Sequence, residues 1–394
     1  MKHVCRFSQA NAVRPCTACF IRREAKKGSG DNVPSRVLGT ASPRKVFMDY
    51  LKFLSGITTV PGTSGYEAPV AEAFAGAFAP FCDEVRIDGS QSVIAVQRGS
   101  GKGPRVMLCA HIDEVSLMTT VVEEDGIVRF QSIGVAAQTL PAQEVTLLCK
   151  DGHIYGVIGA MPPHLTDRNA RDQATPVEEL FIDTGLPAEE VRKRVPAGTP
   201  VQLTGRTTAL QNGLVASKTL DDRACAAILL DCAQQMQRRL HDAEVVYLLS
   251  ASEELGCLGA VTATENIRPD MAVILDVTHG TMPGCEEGET YPVDCTTLSA
   301  GPNTHRKLTA LLKEQAERLG VKTQIEVCAG NTWTDAWDVQ VACEGVPCTI
   351  MSLPIKYMHT TVELGSLELM QKQAHLLCEA VCTLHEGWEE TLCF

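Results

Sequence analysis

The stretch AEVVYLLSASEELGCLGA, residues 243–260, begins as a strand and ends on two adjacent glutamates, Glu253 and Glu254. Its first eight residues form a short, mostly apolar run rich in Val, Leu and Tyr, the pattern of a strand buried inside a sheet. Carboxylates at the end of such a strand are costly unless a positive charge meets them there. Neighbours on an extended strand point to opposite faces, so both glutamates serve one site only if the chain turns there. Gly256 permits that turn.

On either side of this stretch the same rhythm repeats. RVMLCAHIDE (105–114), MAVILDVTHG (271–280), TQIEVCAG (323–330) and VPCTIMSLP (346–354) read as strands. DDRACAAILLDCAQQMQRRL (221–240), HRKLTALLKEQAERLG (305–320) and SLELMQKQAHLLCEAVCTLHEG (366–387) carry apolar residues at helical spacing. Apolar strands alternating with amphipathic helices predict an α/β fold, a mixed sheet sandwiched by helices.

Between residues 115 and 210 the texture changes. TTVVEEDGIVRFQSI and EVTLLCKDGHIYGVIG each place Asp-Gly between β-rich arms, a strong hairpin signal, and TPVQLTG adds a further strand. The expected organisation is an α/β domain over 46–114 and 211–394, interrupted by a small all-β insert over 115–210. Residues 1–45 differ again, with basic residues from Lys2 to Lys45 facing only Glu24 and Asp31. They read as a tail or an upstream extension of a start at Met48, and their single CxxC, Cys16 and Cys19, is weak zinc evidence without a second pair.

Composition narrows the function classes. The chain has 394 residues, 44% hydrophobic and 21% charged, with a formal net charge of -13. So acidic a chain lacks the basic footprint used to bind nucleic acid or anionic lipid, and no apolar run approaches the roughly 18 residues of a membrane span. The 17 cysteines are odd in number, irregularly spaced and often inside apolar runs. They read as free thiols in a reducing, cytoplasmic compartment.

Five polar clusters follow a strand or open a helix: His111 with Asp113, Asp221 with Asp222, Glu253 with Glu254, Asp276, and His359. Singly, an aspartate before a helix reads as an N-cap, and a lone histidine as a satisfied core or loop residue. Their shared placement argues for convergence, because ligands of open α/β sheets gather beyond the carboxyl ends of strands. Two imidazoles with several carboxylates suit zinc, cobalt or manganese better than calcium. One glutamate then ligates, and the other takes and returns a proton; spacing leaves open which does which.

At these residues the chain resembles the dinuclear metallo-aminopeptidases that include glutamyl and leucyl aminopeptidases and the tetrahedral, dodecameric peptidases. The likeness runs from about Met48 to the end and takes in ELFIDTG (179–185) of the insert. It implies a zinc-exopeptidase-like fold, two divalent ions per subunit and short peptides as substrates. It also implies that His111, Asp221 and Asp276 hold one ion, that Asp221, Glu254 and His359 hold the other, that Glu253 is the general acid/base, and that Asp113 orients His111. The insert becomes a barrel-like dimerisation domain and the dimer a building block of larger shells, possible dodecamers among them. Ala224 and Cys225 stand where the family usually has Gly after its Asp-Asp/Asn-Arg triplet, and Cys257 follows the EELG turn. Two other readings fit the same residues: a metal-dependent deacylase or amidohydrolase acting on a small acylated molecule, and a non-catalytic scaffold.

Overall fold

A computed structural model describes residues 48–162, 164–165, 173–286 and 288–392. The expectations for residues 1–45, Cys16 and Cys19 included, lie outside the described residues. Helices α1 (Tyr50–Ile57) and α2 (Ala68–Phe78) lead into β1 (Glu84–Ile87), β2 (Val93–Gln97) and β3 (Arg105–His111). Six strands follow: β4 (Ser116–Val122), β5 (Val128–Ile133), β6 (Glu144–Leu147), β7 (Ile154–Gly159), β8 (Phe181–Asp183) and β9 (Pro200–Leu203), with α3 (Ala188–Arg194) between the last two. After β10 (Thr208–Ala209) and β11 (Leu214–Ser217) come α4 (Leu220–Met236), β12 (Glu244–Ser250), α5 (Leu258–Ile267) and β13 (Met271–His279). The chain closes with β14 (Thr296–Ala300), α6 (Arg306–Leu319), β15 (Thr323–Val327), α7 (Ala336–Val339), β16 (Cys348–Ile355), β17 (Glu363–Ser366), α8 (Leu367–Cys382) and α9 (Trp388–Leu392).

Eight strands form one sheet in the order β1-β2-β12-β3-β13-β16-β14-β15. Its centre, β12-β3-β13-β16, is parallel, and antiparallel partners flank it, so the sheet is mixed. Alternate residues feed two cores. Val106, Leu108 and Ala110 of β3, with Val245, Tyr247 and Leu249 of β12, pack on the side of α4, α6 and α8. Met107 and Cys109, with Val246 and Leu248, pack on the side of α5 and α7. This two-residue period is the reason the central strands read as continuous apolar runs.

The same period aims the polar residues. His111 shares its face with Met107 and Cys109, and Asp276 shares its face with Ala272 and Ile274, both on the α5 side. The last registered pair of β3 and β13 is Cys109–Ile274, and two residues further along each strand stand His111 and Asp276. Asp276 therefore lies inside β13, which runs on to His279 much as the strand expected over 271–280 does, rather than following that strand.

Strands β4 to β9 close into a barrel in the order β4-β5-β8-β7-β6-β9 with its own apolar core. Its two Asp-Gly turns join β4 to β5 and β6 to β7 as antiparallel hairpins. Among the described residues no helix is long and apolar enough to cross a membrane, and all described cysteines are free.

Candidate metal centre

At the carboxyl ends of β3, β12 and β13 the polar residues meet. His111 Nε2 lies 3.1 Å from Asp221 Oδ1. His359 Nε2 lies 3.1 Å from the other oxygen of the same carboxylate, Asp221 Oδ2. Asp221 thus presents one oxygen to each imidazole. One ligand atom each from His111, Asp221 and Asp276 fall within 4.8 Å of one another, and so do those from Asp221, Glu254 and His359. Glu253 joins the cluster as well: ligand atoms of His111, Glu253 and Glu254 also fall within 4.8 Å of one another, with Glu253 Oε2 at 3.9 Å from His111 Nε2.

The turn after β12 brings both glutamates to one side. Ser252 takes a left-handed conformation (φ +57°), which breaks the alternation of the strand. The Glu253 carbonyl then accepts the N–H groups of Gly256 at 2.8 Å and Cys257 at 3.0 Å, and Gly256 itself sits at φ +109°. Asp113 holds this turn from below. Its carboxylate accepts the backbone N–H of Glu253 at 3.0 Å and of Glu254 at 3.2 Å, and the Ser64 hydroxyl at 2.6 Å. It also lies 3.3 Å from His111 Nδ1, so one buried aspartate stands against both the histidine and the glutamate turn.

Three partners escape sequence reasoning. The first is Gly134, from the barrel, whose carbonyl accepts the Nδ1–H of His359 at 2.9 Å. That bond fixes the tautomer and leaves Nε2 facing Asp221 and Glu254. The second is Glu363, whose carboxylate accepts the backbone N–H of Asp221 at 3.1 Å and of His359 at 2.9 Å. The third is the buried group around Glu114, which is ion-paired to Lys218 and to Arg223. Arg223, fully buried, also donates to the carbonyls of Ile57, Val60 and Ile112, and so ties α4 to the loops beneath the centre. The only signals for these in the chain are the proximity of Glu363 to His359 and of Arg223 to Asp221.

Neither aspartate of the Asp-Asp pair caps α4. Asp221 and Asp222 have non-helical backbone angles, and the peptide joining them is cis. Asp222 instead accepts the backbone N–H of His111 at 3.2 Å. Cys225 contacts Asp222, and Cys257 Sγ lies 3.7 Å from Glu253 Oε1, so both unusual cysteines do border the centre.

Electrostatics supply the test of fit to a cation. Burial pulls the His359 pKa down, but hydrogen bonds to Asp221 and Glu254 outweigh it and raise it to about 11. Burial also lifts Glu253 to about 8 against the pull of His111, and lifts Glu254 and Asp276 in the same direction. Four carboxylates thus face two imidazoles in a site shielded from water, an excess of negative charge that divalent cations neutralise. The mix of imidazole nitrogen and carboxylate oxygen donors suits transition-metal ions.

A helix-covered mixed sheet with this His/carboxylate cluster at its strand ends is the framework of a metal-dependent hydrolase. The model of the M42 glutamyl aminopeptidase family matches residues 91–376, and the chain belongs to that family of peptide hydrolases. It is 34% identical over 324 residues to the lysyl aminopeptidase of Pyrococcus furiosus, covering 80% of this chain and 91% of that protein. The solved aminopeptidase APDkam598 from Desulfurococcus kamchatkensis superposes with a TM-score of 0.81 at 28% identity, covering 88% of this chain and 98% of that one. The Pyrococcus horikoshii TET1 peptidase, described as assembling into a tetrahedron or a large octahedral shell, gives 0.75 at 26% identity, covering 85% of this chain and 100% of that one.

Proposed function

We propose that the protein removes N-terminal residues from short peptides with two divalent ions held by the cluster, zinc being the best match and cobalt or manganese the alternatives. The observation that carries this reading is the placement of Asp221 between two imidazoles, one oxygen to each. His111, Asp221 and Asp276 would hold one ion, and Asp221, Glu254 and His359 would hold the other. When bound, such a pair polarises the scissile carbonyl and lowers the pKa of water to about 7.

Glu253 is left outside this ligand set, within reach of it, and does the proton work. Its carboxylate takes a proton from the attacking water and returns it to the leaving amine nitrogen. Largely buried at the edge of the cluster, with its Oε2 3.9 Å from His111 Nε2, it is placed for both halves of that exchange. Asp113 and Glu363 hold the groups that do chemistry: the first fixes His111 and the glutamate turn, the second the backbone of Asp221 and His359. The test is hydrolysis of aminoacyl amides by protein stripped of metal and then reconstituted. Release that returns with zinc, cobalt or manganese supports the reading, and its absence despite bound metal ends it.

Glu363→Gln keeps the shape but replaces the carboxylate that anchors two ligand-bearing residues. Metal affinity is expected to fall about 10- to 100-fold, the usual cost of losing an outer-shell partner. Competition with a chromophoric chelator measures this directly.

The barrel is the surface proposed for self-association into dimers and larger shells. Tyr155 and Val157 point outward from β7, and Val121 from β4, all exposed. Light scattering is expected to give a mass well above that of one chain, and charge at the outer face, Val157→Glu, is expected to lower it.

A further inference from the structure

The cleft over the centre has a volume of about 430 Å³, and residues of the segment 331–338 contribute to its lining. Trp333, Trp337 and Asp338 of that segment line it, and no Lys or Arg stands among the described residues that do. Trp333 is 84% exposed and held at φ +53°, a left-handed conformation that costs a bulky residue energy. Asn331 holds it there by accepting its backbone N–H at 2.8 Å. An exposed indole kept in an unfavourable backbone region at the edge of a reaction cleft points to ligand contact rather than to core packing.

Asp338 differs from the other carboxylates of the cleft. It belongs to none of the clusters whose ligand atoms lie within 4.8 Å of one another. It lines the same cleft as Glu253, Cys257 and the two tryptophans. The α-ammonium of a bound peptide is separated from the reacting carbonyl by a single carbon and must lie against the centre itself. Asp338, which lines the cleft but stands outside the ligand clusters, is left to meet the side chain of that first residue.

Resting on the aminopeptidase reading, we propose that the cleft selects an N-terminal lysine or arginine, with Asp338 pairing its cationic head and the Trp333 and Trp337 rings covering its methylene stem. Indole faces attract ammonium and guanidinium groups, and long basic side chains pack their apolar stems along such surfaces while the charged end seeks a carboxylate.

The experiment compares kcat/KM for lysyl, arginyl, norleucyl and glutamyl amides in the metal-loaded protein and in Asp338→Asn and Asp338→Lys. Norleucine matches the carbon stem of lysine without its ammonium group. The expected result is a lysine-to-norleucine ratio of at least about tenfold, carried mainly in KM, that collapses in Asp338→Asn, with glutamate gaining on lysine in Asp338→Lys. Metal content and circular dichroism of each variant separate this from misfolding. A ratio near one in the parent chain, or a loss in Asp338→Asn shared equally by lysine and norleucine, overturns the proposal. If norleucyl amide is cleaved and lysyl amide is not, only the side-chain assignment fails. If no aminoacyl amide is cleaved, the aminopeptidase reading fails and takes this proposal with it.

Discussion

Replacing Glu253 with glutamine is expected to lower kcat about a thousandfold, on the order of 4 kcal/mol in the activation barrier, while both ions stay bound. The amide keeps the size of the carboxylate and its place on the turn, because what fixes that turn is the Glu253 backbone N–H donated to Asp113. What it loses is the ability to take a proton from water and give it to the departing amine. Metal analysis of the variant is expected to match the parent, since Glu253 belongs to neither proposed ligand set. Rate and metal content measured together are decisive. If the ions leave with the carboxylate, Glu253 is a ligand and the division of labour between the two glutamates is reversed. If kcat barely changes, the base lies elsewhere, and the neighbouring buried Asp335 becomes the group to examine.

Stripping the metal is expected to destabilise the fold, and more so at pH 8 than at pH 6. In the metal-free chain burial raises the pKa of Glu253 to about 8, and those of Glu254 and Asp276 upward as well. A carboxyl whose folded pKa exceeds its unfolded value binds more protons folded than unfolded between the two. Stability therefore falls as pH rises through that window. His359 adds to the same slope. Raised to about 11, its contribution is fully present below its unfolded pKa near 6.5 and drains away as pH climbs towards the folded value. Asp113 and Asp221, lowered in the folded chain, lose their contributions only as pH falls through the acid range, outside this window. Bound cations take the place of those protons. Thermal melts with and without chelator are expected to show a gap of several degrees at pH 6 that widens at pH 8. A gap that narrows with rising pH contradicts this electrostatic account of the centre.

The sheet was legible because its central strands are buried on both faces, which leaves long apolar runs such as AEVVYLLS and MAVILDVT in the chain. The hairpins were legible because Asp-Gly turns carry local instructions. Strand order was not. That β12 inserts between β2 and β3 depends on pairing across some 140 residues of chain, and nothing local encodes it. The same distinction runs through the centre. His111, Asp221, Glu253, Glu254, Asp276 and His359 could be singled out because a buried element ending in polar residues is locally anomalous. Gly134 and Glu114 could not, since a glycine carbonyl or one more carboxylate in a polar stretch becomes informative only when folding brings it to a histidine or a buried arginine. Asp113 fell between. Its closeness to His111 was visible in the chain, whereas its hold on the glutamate turn needed contacts 140 residues away. That hold also answers the question posed by SASEELG: the adjacent glutamates are tolerated because their backbone is anchored and two imidazoles and the proposed cations meet their charges.

The central claim is that this centre acts on the free amino end of a peptide, and one measurement addresses it most directly. A peptide of about eight residues and its N-acetylated twin are incubated with the metal-loaded protein and followed by mass spectrometry over time. The account predicts stepwise loss of single residues from the free N-terminus and no reaction of the acetylated twin. Cleavage inside either peptide, or removal of the acetyl group alone, would contradict it.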